Sequence, residues 1–144
     1  MDDAEFEAQK ARIETAFHRW QNPLGLGYWL VHLIWEREGR DFESHTDGQT
    51  RSTCAARCFA DWRYNEATIT FNVPLYSDMD DDTVERTVVH ELMHIFLNEV
   101  REEGLPHEER VASHLTSAFR WVRDSVAKGE DPAIGVVHTG AEGC

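Results

Sequence analysis

Between Val88 and Leu97 the chain reads Val-Val-His-Glu-Leu-Met-His-Ile-Phe-Leu, an apolar run interrupted only by His90, Glu91 and His94. Val84, Val88, Leu92 and Phe96 recur four residues apart, and Asp82 with Glu85 three residues later forms a capping box, so the segment is predicted as a helix. Gly104 and Pro106 are expected to end it. A helix that is apolar on nearly every side is buried, and polar groups inside it cost free energy unless they find partners. Two imidazoles and a carboxylate in such a place demand a compensating interaction. That demand constrains the fold more than any other feature of the chain.

Residues i and i+4 of a helix lie about 40° apart, so His90 and His94 project from one face, one turn apart. This spacing lets two ring nitrogens hold a single zinc ion at about 2.0–2.1 Å each. Glu91 lies off that line. It is placed to take a proton from a water activated by the metal and hand it to a leaving amine, rather than to bind the metal itself. A chain with 8 histidines can produce the pattern by accident. An accident would fall anywhere, whereas this one falls in the best capped and most apolar helix.

Catalytic zinc sites usually take three protein ligands and leave a position for water. The third is expected from the start of the next helix, predicted over 107–127 with Val111, Leu115, Phe119, Val122 and Val126 inward and Gly129 at its end. Candidates are His107, Glu108 and Glu109. Helical phase favours Glu108, near the middle of the Val111/Leu115 face, with Glu109 about 100° further round. Phase alone does not choose between them.

With this motif and the helix that follows, the chain resembles the zincin metallopeptidases of the gluzincin type, in which a glutamate from a second helix completes the site. In layout it is similar to the small phage and bacterial members related to the ImmA/IrrE-type peptidases. The resemblance covers an N-terminal helix, a small sheet, the Val88–Leu97 helix, and a helix opening Glu-x-Val-x-x-x-Leu. It implies a zinc metallopeptidase acting on a peptide or protein substrate. One catalytic Zn2+ would be held by His90, His94 and Glu109, with Glu91 as general base and Glu108 as the alternative third ligand. It also makes the segment 67–73 the expected sheet edge along which an extended peptide pairs. Two departures stand out: Met93 occupies the position of the family's usual glycine, and no assured oxyanion donor is present. His114, His138, Tyr64 and Arg110 are the candidates for that role.

The remaining elements follow from periodicity. Residues 3–20 are predicted as an amphipathic helix carrying Phe6, Ile13, Phe17 and Trp20, with Asp2 or Asp3 as its cap. Strands are expected over 28–38, over 51–61 and over 67–73. A turn through Gly39 to Gly48 follows the first, and a hairpin turn near Tyr64-Asn65-Glu66 precedes the last. The predicted fold is thus α+β and zincin-like, with an N-terminal helix, a small, mostly antiparallel three-stranded sheet, the motif helix and a ligand-bearing helix. One domain is expected over 1–129, with an irregular tail over 130–144.

The chain carries 14 basic against 27 acidic residues, a net charge of −13, which opposes binding to nucleic acid. No apolar run is long enough to span a membrane, and the acidic start Met1-Asp2-Asp3 is unlike a secretory signal, so a cytoplasmic protein is expected. Cys54, Cys58 and Cys144 are too few for a disulfide framework and read as ordinary thiols. His32 reads as a core or edge histidine, and the aspartates from Asp78 to Asp82 as helix-capping residues. The pattern leaves the oligomeric state open. Two rivals to peptidase activity remain at this level. One is a zinc-stabilised domain that binds a protein partner without cutting it, and the other is a precursor whose tail covers the site.

Overall fold

The computed structural model describes residues 1–38, 54–101 and 107–129. The first helix, α1 (Asp3–Gln21), starts where Asp2 accepts a hydrogen bond from the Glu5 amide at 2.8 Å. It buries Ile13, Ala16, Phe17 and Trp20, the apolar face its sequence predicts. Three strands follow: β1 (Leu30–Glu36), β2 (Ala56–Asp61) and β3 (Glu66–Asn72). The turn between β2 and β3 closes on Asn65, which takes a left-handed conformation (φ 50°) that asparagine tolerates well. A 3-10 segment, Val73–Asp78, leads into α2 (Asp81–Arg101), and α3 (Glu108–Ala127) completes the described chain.

The sheet order is β1-β3-β2, with β3 parallel to β1 and antiparallel to β2. The expected antiparallel arrangement therefore holds for the hairpin alone, because β1 is joined to the rest by a long connection that need not reverse the chain. The same order corrects the substrate-edge expectation. β3 contains nearly all of the segment 67–73, and it is the central strand, paired on both sides. One face of the sheet turns Ala67, Ile69, Phe71, Ala56 and Ala60 inward, where they join α1 and α2 in a single core. Trp35 stacks on Phe71 with ring centroids 5.5 Å apart. On the other face Leu30, Ile34 and Phe59 are exposed, and His32 pairs at the surface with Glu66 at 2.7 Å.

Helix α2 lies at the centre of the molecule. Val84, Val88, Val89, Leu92, Met93 and Ile95 are buried, each side chain of that size contributing about 1.5–3 kcal/mol on leaving water. Phe96, expected in the same stripe, is exposed. The helix is capped by Asp80, whose side chain accepts from the Thr83 amide at 2.8 Å, and not by an Asp82–Glu85 box. Glu85 has a different task. It is buried among Arg19 of α1 (2.9 Å) and Arg120 (3.2 Å) and Arg123 (2.7 Å) of α3, while Asp82 also pairs with Arg120.

These ion pairs explain the largest departure from expectation. Helix α3 buries Ala112, Thr116, Arg120 and Ser125, whereas Phe119, Val122 and Val126 are exposed. Leu115 packs against the core only in part. The helix is rotated by about 100°, one residue step, from the face its apolar spacing predicts. The buried Glu85 carboxylate has to be neutralised, and α3 supplies Arg120 and Arg123 for this beside Arg19 of α1.

The Gly104 and Pro106 stop, the Gly39 to Gly48 turn, the beginning of the 51–61 strand, His138, Cys144 and the 130–144 tail lie outside the described residues. No helix among the described residues is long and apolar enough to cross a membrane.

Candidate metal centre

Helices α2 and α3 pack side by side, and the site forms where the middle of α2 meets the first turn of α3. His90 and His94 stand one turn apart with ring centroids 4.8 Å apart, and their Nε2 atoms approach to 3.1 Å. Glu109 closes the third side. Its Oε2 lies 2.9 Å from His90 Nε2 and its Oε1 lies 3.1 Å from His94 Nε2. One ligand atom from each residue falls within 4.8 Å of the others.

That geometry suits a zinc ion. Two nitrogens bound to one tetrahedral zinc at the usual distances stand about 3.3 Å apart, close to the separation of the two Nε2 atoms. Two imidazoles and a carboxylate are also the donor set that zinc takes when a water position is kept open. Burial pushes the pKa of His94 down, more strongly than the nearby Glu109 carboxylate raises it, so the ring favours the neutral form that a metal requires.

Glu109 and Glu108 approach the histidines from different sides. α3 turns the Ala112/Thr116 line inward, and Glu109, itself exposed, lies one turn ahead of that line with its carboxylate against both Nε2 atoms. Glu108 approaches the other side of His94, its Oε1 3.6 Å from Nδ1. His107 stands just ahead of α3 in a left-handed conformation (φ 64°), with its side chain exposed and outside the cluster.

Glu91 follows His90 directly and is not part of the cluster. It is buried, and desolvation first, with the negative charge of Glu109 second, raises its pKa to about 8. A cation at the cluster would favour its ionised form. Two neighbours of Glu91 carry no signal in the sequence, because they come from distant segments. Tyr76 is fully buried and donates its hydroxyl hydrogen to the Ala55 carbonyl at 3.2 Å, which pins the entry to β2 below the site. The Cys54 thiol is free, and burial followed by the charge of Glu91 pushes its pKa up. Of the oxyanion candidates, Tyr64, Arg110 and His114 are all exposed. His114 lies five positions beyond Glu109, which puts it about 140° away around α3. Met93 is fully buried in the core under the site.

The SprT-like family matches the chain over residues 31–132, from the second residue of β1 to just past α3. That is more than half of the chain, and it includes all the residues of the cluster. No curated protein and no solved structure matches the chain.

Proposed function

This chain belongs to the SprT-like family, which is related to the zincin metalloproteases, and from that premise we propose that it is a zinc-dependent endopeptidase of the gluzincin type. His90, His94 and Glu109 hold the ion, and Glu91 is the general base. The observation that carries the reading is the convergence of three donor groups from two helices beside a buried carboxylate that is not one of them.

When bound there, zinc supplies a Lewis acid that polarises a peptide carbonyl and makes water acidic enough to attack near neutral pH. The chain's own residues do the rest. Glu91 accepts the proton of the attacking water and delivers it to the amide nitrogen as the bond breaks, which needs a pKa close to the working pH. Burial raises the pKa of Glu91 in the metal-free chain, and a bound dication would bring it back down toward the ionised form that a base requires. The apolar residues around it, with Tyr76 beneath, exclude bulk water and strengthen these electrostatic interactions. Glu109 supplies the negative charge that offsets part of the charge of a bound dication.

The test combines zinc content with turnover. The purified full chain is expected to contain about one zinc per molecule and to cleave an unfolded protein substrate, with cleavage stopped by a chelator and restored by zinc. The Glu91→Gln variant is expected to keep the zinc and lose the cleavage. Metal-free protein that neither binds added zinc nor changes in stability on adding it would refute the proposal.

A further inference from the structure

Glu109 is one of three polar side chains that α3 directs at the two histidines. Ser113 Oγ lies 3.4 Å from His90 Nδ1, and Glu108 Oε1 lies 3.6 Å from His94 Nδ1. The two rings are thus approached in the same way: Nε2 faces Glu109, and Nδ1 faces a second oxygen from the same helix. His94 Nδ1 is buried and has no hydrogen-bond partner among the described residues, with the Glu108 oxygen just beyond hydrogen-bonding distance.

We propose that Glu108 and Ser113 are positioning residues that accept the Nδ1 hydrogens of His94 and His90, and so turn both Nε2 lone pairs toward the metal. The inference rests on the zinc-site reading above and deepens it. A neutral imidazole carries one hydrogen, and a ring that binds metal through Nε2 must carry it on Nδ1. In a buried site that hydrogen needs an acceptor, or the tautomer is lost to a competing one. A carboxylate serves best, because the bond is charge-assisted and raises the basicity of the ring. The hydroxyl of Ser113 is a weaker acceptor and suits His90, whose ring is less buried.

The arrangement has a structural consequence. Glu108, Glu109 and Ser113 lie in the first two turns of one helix, so docking α3 places the third ligand and both outer acceptors in one step. Glu108, which competes with Glu109 for the role of ligand when only the sequence is considered, gains a separate task on the far side of the same ring.

Two measurements on the full chain test this. The first is zinc affinity by competition with a chromophoric chelator, with circular dichroism melts to verify folding. Glu108→Ala is expected to weaken zinc binding by about 10–100-fold, as loss of an outer-shell partner does. Glu108→Gln, which keeps an acceptor oxygen but not the charge, is expected to recover part of that loss, and Ser113→Ala to cause a smaller one. A merely structural role would lower the melting temperature and leave the Nδ1 hydrogens and the affinity of the folded protein for zinc unchanged. The second is long-range nitrogen–hydrogen NMR of the imidazoles in zinc-loaded wild type, expected to place hydrogen on Nδ1 of both rings. Should Glu108→Ala fail to fold, Glu108→Gln and the NMR spectra decide. Wild type that binds zinc while Glu108→Ala binds it equally well, or a ring that binds zinc through Nδ1, overturns this inference alone. Wild type that binds no zinc overturns it together with the reading beneath it.

Discussion

The carboxylate of Glu109 lies 2.9 Å from Nε2 of His90, although 19 positions separate the two residues in the chain. The contact brings Glu109, and not Glu108 or His107, into the cluster that could hold a metal ion, and under the proposed function Glu109 is the third ligand. Replacing it should remove a direct metal bond. Glu109→Ala is expected to lower zinc affinity by more than the roughly 10–100-fold typical of outer partners. His107→Gly is expected to leave affinity unchanged and to relieve about 1 kcal/mol of left-handed strain. Chelator competition with thermal melts checks both, and loss of zinc in His107→Gly would transfer the ligand role to His107.

Glu91 should matter to turnover and not to metal retention. Glu91→Gln is expected to reduce cleavage by about 10²–10⁴-fold with zinc stoichiometry intact, the range for removal of a general base. Steady-state rates on metal-analysed samples provide the measurement.

The same residue predicts how the metal-free protein responds to pH. The folded pKa of Glu91, about 8, lies above its ordinary value of 4.5. The unfolded chain therefore ionises first, and Glu91 destabilises the folded state increasingly as pH rises from 4.5 toward 8. Metal-free Glu91→Gln is expected to be more stable than metal-free wild type at pH 8, by about 2–4 kcal/mol, and no more stable at pH 4. Denaturant titrations at the two pH values measure the difference. A variant less stable than wild type at pH 8 would contradict it.

Glu85 has the opposite sign. Burial opposes its ionisation, but hydrogen bonds from Arg123 and Arg19 outweigh that cost and take its pKa from 4.5 to about 2. Its folded value lies below its unfolded one, so its contribution is complete above pH 4.5 and is lost as pH falls toward 2. Removing one member of a buried ion cluster typically costs about 3–5 kcal/mol. Glu85→Gln is expected to lose stability of that order at pH 7, with a smaller penalty at pH 3, as judged by melts at both pH values.

Metal removal should be felt across the whole fold, because the ligands tie α2 to α3. A site occupied at 100 times its dissociation constant adds about 2.7 kcal/mol. Addition of a chelator is expected to lower the melting temperature, with recovery on adding zinc back. Identical melting curves would mean that the cluster does not bind the ion.

What the sequence determined is whatever depends on neighbours in the chain. The spacing of His90 and His94, the position of Glu91 between them and the apolar residues around them define a site on one helix before any fold is known. Asp2 caps α1 where local rules place it, and the alternation in β3 marks that strand. Only the tertiary structure decided what depends on partners from elsewhere. The placement of β3 in the centre of the sheet is set by which strands pair with it, and its own alternation is the same at an edge or in the middle. The face that α3 turns inward carries Arg120, which meets the buried Glu85 of α2, while Phe119, Val122 and Val126 stay exposed. Apolar periodicity records the area a helix can bury, whereas a buried charge must be met by a particular opposite charge, and only the packed structure shows which face of α3 supplies it.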